Sequence, residues 1–372
     1  MRYTTLATVQ HRITVGAPLP FNVYDADRTL LLARRHRVES TQQLAALCAR
    51  GTLVDLDELL SATERAAQAP LEELPRLWTA CLDTVGRVLA DSSAPTFRGA
   101  LDEAAEPVAA LIDRDPDLAI FQVLRQDDNP HRQYGIHHSV HTAIIARLVA
   151  QRLAWPQQNM VSAFKAALTM NLAMLELQGQ LAEQRTPLTE AQRLAVREHP
   201  QRAVEMLQQA GITDGEWLSA VAQHHEERDG SGYPNAIRNP SELAMLLHRA
   251  DVYAAKLSAR ATRQAKAADE AGREIFRQDP GHPITAALVK EFGIYPPGTF
   301  VALASGETGI VVRRGPTVMT PVVAALTTLY GDALAQPQRR DTSQPLYAIV
   351  GVLPARQMRV RAVPAQLLAL AA

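Results

Sequence analysis

The sequence predicts a mainly α-helical protein: an all-helical central domain flanked by small β-containing units at the N- and C-terminal ends. Three observations carry that expectation. From Leu74 to about residue 275, apolar residues recur largely at helical spacing. In 13–38 and again beyond 293, short β-branched runs alternate with turn residues. The 372 residues, 47% of them apolar, supply two or three domains with an ample core.

Taken in order, FNVYDADRTLLLARRHRV has two apolar runs around an Asp25-Ala26-Asp27 turn, the pattern of a hairpin. Residues 40–56 add a short helix with a stop at Gly51. Leu74, Leu77, Trp78, Cys81, Leu82, Val85, Val88 and Leu89 keep helical spacing. Ser-Ser-Ala-Pro at 92–95 breaks that helix, two more reach Leu124, and RQDDNPHRQ at 125–133 reads as a loop. Three helix starts are expected beyond it. Thr189 to Gln192 is a capping box. His199-Pro200 puts a proline where a new helix begins, since an interior proline would break one. Asn239-Pro240-Ser241-Glu242 combines an N-cap, a first-turn proline and an acid. After 293, GIYPPGTFVALASGETGIVVRRG reads as a small β-unit, and the Gln/Arg-rich 336–344 as a link. The expected division is a β/α unit at 1–60, a helical connecting region at 61–130, a helical domain at 131–290 and a β-rich unit at 291–372.

The net charge of −1 gives no global argument for nucleic acid or an anionic membrane, and leaves room for a small anion on a local patch. Cys48 and Cys81 read as buried thiols rather than a disulfide. No signal-peptide core and no run of 18 uncharged apolar residues occur, so a soluble cytoplasmic protein is expected.

Histidine carries the chemistry. Of 11, His137, His138, His141, His199, His224, His225 and His248 fall in the helical domain, and neutral imidazole is a common transition-metal ligand. His224 and His225 are adjacent, and neighbours on a helix point about 100° apart. They can serve one metal only at a helix end or distorted turn, or else two neighbouring metals. The DGSGYP turn that follows is such an end. Asp251 lies at the edge of an apolar face formed by Leu243, Leu246, Leu247, Ala250, Ala254 and Leu257. A carboxylate there needs a partner: Arg249, Arg260 or a metal.

DGSGYP after HHE resembles the signature of the HD-GYP family, bacterial phosphodiesterases that hydrolyse cyclic di-GMP in signal transduction. Tyr134…His138-Ser139 resembles that domain's first helix. REHPQRAVEML at 197–207 resembles its HP helix, and HRADVYAAKLSARATR at 248–263 the helix with its late metal aspartate. The resemblance covers about 130–275, and both β-units resemble those of one subgroup, although Arg35 stands where relatives tend to carry a turn glycine. It implies metal ligands at His138, His199, His224, His225 and Asp251, and phosphate-binding residues at Arg260 and Arg263. It also implies a partner-binding turn of Asp229, Gly230, Gly232, Tyr233 and Pro234, facing GGDEF-type or other signalling proteins with Tyr233 as an exposed anchor. A homodimer is compatible with it.

The pattern departs at the dyad that names the family. Met170 stands for its histidine, Asn171 for its aspartate, Ala173 for its glycine and Met174 for its lysine, while Ala254 replaces a further acid. Asn171 is a poor bridge between two cations, and a thioether suits neither ferrous iron nor manganese. Loss of a two-metal arrangement removes nucleophile and charge stabilisation together. The sequence thus points to a catalytically inactive or impaired member, a pseudoenzyme that senses cyclic di-GMP or binds a protein through the GYP face. The alternatives are a phosphodiesterase with one metal (Fe, Mn, Zn or Ni) on three histidines, a metal-free core, and a scaffold whose terminal β-units dock other proteins.

Overall fold

A computed structural model describes residues 2–125, 134–358, 360 and 364–371. All of the expected 125–133 loop except Arg125 lies outside them. The chain forms two compact units, Met1–Ala69 and Pro70–Ala372. The protein is mainly α, with one small antiparallel sheet in each terminal region.

The first unit contains β1 (Tyr3–Thr5), α1 (Leu6–Val9), β2 (Val23–Tyr24), β3 (Leu30–Leu32), α2 (Thr41–Ala49), β4 (Leu53–Asp55), α3 (Leu56–Leu59) and α4 (Ala62–Gln68). Its sheet has the order β1-β4-β2-β3. The β2–β3 hairpin turns around Asp25–Asp27 as expected, pairing Val23 with Leu32 and Tyr24 with Leu30. Leu6, Leu19, Phe21, Val38 and Val54 close its core. Strands β1 and β4 have three residues each, too short for a period of two to register. Ser40 caps α2 by accepting the Gln43 N–H, and Gly51 ends it at φ +73°. Arg35 takes φ +74°, a conformation that favours glycine, while donating its N–H to the Leu19 carbonyl at 2.9 Å.

The second unit runs through α5 (Leu74–Ala90), α6 (Phe97–Arg114), α7 (Pro116–Leu124), α8 (Tyr134–Arg152), α9 (Gln157–Thr169), α10 (Leu175–Glu183), α11 (Glu190–Gln209), α12 (Gly215–Gln223), α13 (Glu242–Leu257), α14 (Ala268–Gln278) and α15 (Pro283–Phe292). Then come β5 (Phe300–Leu303), β6 (Thr308–Arg313), β7 (Val322–Thr327), β8 (Ala333–Asp341), β9 (Ile349–Leu353) and α16 (Pro364–Ala371). Helix α8 is the axis: it is buried on nearly every side and packs against α7, α9, α10, α13 and α15. A Cβ on Gly135 would overlap the Leu175 carbonyl, so glycine sets how closely α8 passes α10. The five strands form an antiparallel sheet of order β8-β7-β6-β5-β9. Arg314 ties it to the helices by pairing with Asp117 of α7 and, at 2.7 Å, with Glu291 of α15. Among the described residues one stretch, Gln157–Glu183, is long and apolar enough to cross a membrane by length and composition alone, and 61% of its apolar window is buried in the fold.

Several expectations are corrected. Pro200 lies inside α11, which starts ten residues earlier on the Thr189–Gln192 capping box. Helix α13 is capped by Ser241, whose Oγ accepts the Ala244 N–H; Asn239 lies before it at φ +60°. Most of the expected link at 336–344 belongs to β8, a polar edge strand. The helix carrying Asp251 ends at Leu257, so Arg260 and Arg263 sit on the turn after it. Cys48 and Cys81 are unpaired, as expected, but half-buried.

Candidate metal and ligand site

Pro200 has no N–H to give the Val196 carbonyl four residues back. That carbonyl instead accepts Nδ1–H of His199 at 2.6 Å. At the C-terminal end of α12, where helix carbonyls lack partners, the Val221 carbonyl accepts Nδ1–H of His224 at 2.7 Å. Both bonds place the proton on Nδ1 and leave Nε2 with a lone pair. The two Nε2 atoms are 3.1 Å apart. Burial pushes both rings toward the neutral form, so two lone pairs face each other with no proton to share. The His225 ring lies 4.2 Å from that of His224 and 5.1 Å from that of His199. Burial takes His225 down to about 3 against the pull of Asp251. The three ligand atoms lie within 4.8 Å of one another. Three neutral, converging imidazoles are a donor set that fits one divalent transition metal.

Adjacent histidines reach one point because α12 stops at Gln223 and the backbone turns there. The DGSGYP loop holds that turn. Buried Glu226 accepts the Asn235 N–H at 2.7 Å and the Ile237 N–H at 2.9 Å, folding the loop back on itself. Gly232 passes so close to His225 and Glu226 that a Cβ would overlap their backbone. Asp229 bonds the Ser231 N–H at 2.8 Å, Gly230 takes φ +80°, and Pro234 is half-buried. Tyr233 is not the expected exposed anchor. It is half-buried and stacks on His225 with ring centres 4.6 Å apart, because the loop folds inward. His248 of α13 bonds the His224 carbonyl at 2.9 Å and Glu227 at 3.1 Å. Burial opposes its charge, but these two partners prevail and raise its pKa.

His138 and Asp251 find each other. Nε2 of His138 lies 2.6 Å from Oδ1 of Asp251. Burial disfavours the Asp251 carboxylate, yet the His138 bond and the surrounding imidazoles hold its pKa well below the usual range. Neither arginine expected as its partner serves: Arg249 pairs with Asp279 at 2.8 Å, and Arg260 donates Nε–H to the Tyr134 hydroxyl at 3.0 Å. Of the five expected ligands, the structure gathers three and pairs the other two with each other.

A cavity of about 390 Å³ opens beside the histidines, lined by His138, His199, Asp251, Arg260, Met174 and Asn171 among others. Met170 is fully buried and Met174 nearly so. Asn171 is buried with its Nδ2 unpartnered. Arg263 is exposed and donates to the Ala255 carbonyl, outside the cavity lining. Sequence reasoning missed what Glu226, His248, Gln178 and Tyr134 do here. For Glu226 the signal was an acid directly before a Gly-rich turn; for the others the pairing spans helices, and no local pattern shows it.

Residues 124–279 match the family model for the HD domain. This helical segment, which carries the clustered histidines, is therefore similar to an HD domain. Over 225 residues it is 29% identical to "Cyclic di-GMP phosphodiesterase PA4108" of Pseudomonas aeruginosa, covering 59% of this chain and 53% of that protein. The match thus spans about half of that relative's length. The structure resembles "Bd1817, a HDG"Y"P protein from Bdellovibrio bacteriovorus" with a TM-score of 0.50 and 15% identity, over 78% of this chain and 98% of that one; at that identity the likeness speaks for the fold. These comparisons make the chain similar to HD-GYP proteins, and Met170-Asn171 stand where the resemblance expects their dyad.

Proposed function

We propose that this chain is an HD-GYP protein of cyclic di-GMP signalling that binds its ligand without efficient hydrolysis. The observation that carries the reading is the pair of substitutions at the dyad. Met170 and Asn171 are both buried, Asn171 lines the cavity, and neither supplies a carboxylate. Asp251, the remaining acid of the expected ligand set, is engaged by His138. That leaves three neutral imidazoles, enough for one metal and without the charge that holds two cations together. A metal on His199, His224 and His225 would supply Lewis-acid charge at the cavity wall. The chain's own groups bind and orient: Arg260 offers a guanidinium to phosphate, Tyr233 stacks on His225, and Met174 contributes an apolar side chain to the lining.

The GYP loop supports a role in signalling. Its aromatic ring lies on a ligand-site histidine, so occupancy of the cavity bears directly on the loop that the family resemblance assigns to partner contact. A second reading, a phosphodiesterase with a mononuclear site, is favoured by one observation, the two facing Nε2 atoms of His199 and His224.

Elemental mass spectrometry of the purified chain, alongside chromatography of cyclic di-GMP incubated with it, tests both. One metal equivalent or fewer with intact nucleotide is expected. Turnover at one equivalent that vanishes in His224→Ala would establish the second reading. Two equivalents of iron or manganese with rapid hydrolysis would overturn the proposal.

A further inference from the structure

We infer that the cavity between α5, α7 and α8 is a second ligand site, which takes a flat, two-ring heteroaromatic acid with the acid on Arg87 and a ring N–H on Gln122 and His141. It is distinct from the histidine cavity and does not depend on what binds there.

This cavity holds about 670 Å³, in the middle of the roughly 300–1,000 Å³ spanned by small-molecule sites. Helix α8 divides it from the histidine cavity: His138 lines that one, and His137 and His141 line this one. Among the described residues the two linings share none.

Its shape fits a planar body. Leu82 of α5 and Ile136 and Val140 of α8 give apolar walls. At Gly86 the two helices pass so closely that a Cβ would come within 3.2 Å of Ile136, which narrows the space at that point. His137 and His141, one turn apart on α8, hold their rings within 25° of parallel with centres 6.5 Å apart. Apolar walls with planar groups along one side suit an aromatic ligand.

Polar groups inside it stand open. Gln122 of α7 is 8% exposed, and its amide makes no hydrogen bond among the described residues. Neither amide atom is sealed in the core, so both remain accessible in the cavity that Gln122 lines. The ring nitrogens of His141 likewise have no hydrogen-bond partner among the described residues and are not sealed off. Burial and the neighbouring imidazoles keep that ring neutral. A neutral imidazole and an amide each offer a donor and an acceptor. Such groups, unpaired until a ligand arrives, favour the ligand whose N–H they can accept.

The mouth favours an anion. Arg87 is exposed and bonds only neutral oxygens, the Asp83 carbonyl at 3.4 Å and the Thr84 hydroxyl at 3.1 Å. Among the described residues no carboxylate pairs with it. Arg125 lines the same cavity, and against these two guanidinium groups the described lining sets one acid, Asp83.

Calorimetric titration of the full chain tests this with three probes of similar size: indole-3-acetate, its uncharged amide indole-3-acetamide, and naphthalene-1-acetate, which lacks the ring N–H. Indole-3-acetate is expected to bind at one site per chain, about 10-fold more tightly than either of the others. Arg87→Met should erase its advantage over the amide and keep its advantage over naphthalene-1-acetate. Gln122→Leu and His141→Phe should do the reverse. Arg87 is exposed on α5, so its variant reports even where a change at the two inner positions costs the fold. Equal affinity for the three probes, or no binding of any, would overturn the assignment. So would an acid preference that survives Arg87→Met, or an N–H preference that survives both Gln122→Leu and His141→Phe.

Discussion

Replacing Glu226 by alanine should release the GYP loop while leaving the helices folded. Glu226 is 2% exposed, and its two oxygens accept the Asn235 and Ile237 N–H groups at 2.7 and 2.9 Å. Hydrogen bonds to a charged acceptor contribute about 1.5–3 kcal/mol each. Both are lost together, but the loop partly regains them from water once it opens, so a net local cost of about 3 kcal/mol is expected. At 1.36 kcal/mol per factor of ten, the two amides should exchange with deuterium about 150-fold faster. Glu226→Gln keeps one oxygen acceptor and should lose about half of that, concentrated on one amide. Tyr233 is held by its N–H to the His225 carbonyl at 3.0 Å and by the loop, so its stacking on His225 should loosen in the alanine variant and metal affinity should fall with it. Exchange at Asn235 and Ile237 unchanged in Glu226→Ala, or equal in the Gln and Ala variants, would refute the assignment of Glu226 as the loop's anchor.

Pro200→Ala returns an N–H to the Val196 carbonyl and sets it in competition with His199 Nδ1–H; metal affinity by competition with a chelator should drop about 10–100-fold, as for other groups that orient a ligand, with little change in melting temperature. Arg340 pairs with Glu307 at 2.6 Å in the C-terminal sheet, and both are largely buried. Arg340→Met should cost about 2–3 kcal/mol in denaturant unfolding. The Arg340 bond holds Glu307 low against burial, so the pair's contribution is full above the unfolded carboxylate value and fades as pH falls through the folded one. His248 has the opposite sign. Its pKa is raised in the folded state, with Glu227 and the His224 carbonyl prevailing over burial. The stability difference between the native chain and His248→Asn should be largest below the unfolded value of about 6.5 and shrink as pH rises through the folded one.

What the sequence made legible were features whose cause is local. The Thr189 capping box, the Asp25–Asp27 hairpin and the Gly51 stop involve residues within a few positions of each other, and all three are present. The adjacent histidines at a helix end were legible for the same reason. Pro200 misled because a helix tolerates an interior proline when another donor takes the freed carbonyl, and here that donor is the side chain one residue before it. Tyr233 misled because turn chemistry fixes the backbone and not the side of the loop on which a ring packs. The partner of Asp251 lies 113 residues away on α8, beyond any periodicity. Strand β8 was hidden because an edge strand rich in Gln and Arg has the composition of a linker.

Installing a His-Asp dyad tests whether Met170 and Asn171 alone keep a second metal out or belong to a core packed around them. Met170 is fully buried at the end of α9 and contributes apolar volume there. Met170→His with Asn171→Asp places an imidazole and a carboxylate in that space. Without a second metal the carboxylate is buried beside groups already committed, since His138 is spent on Asp251. The double variant should therefore be less stable by about 3–5 kcal/mol when metal-free, the range for an unpaired buried charge. Binding of a second metal is linked to folding and should recover part of that. The expected result is a melting temperature that rises far more with added iron or manganese than that of the native chain, and a metal content that climbs toward two. A double variant as stable as the native chain without metal would mean that the pocket still accommodates the dyad, and that Met170 and Asn171 are recent losses in an otherwise intact site rather than part of a core rebuilt around one metal.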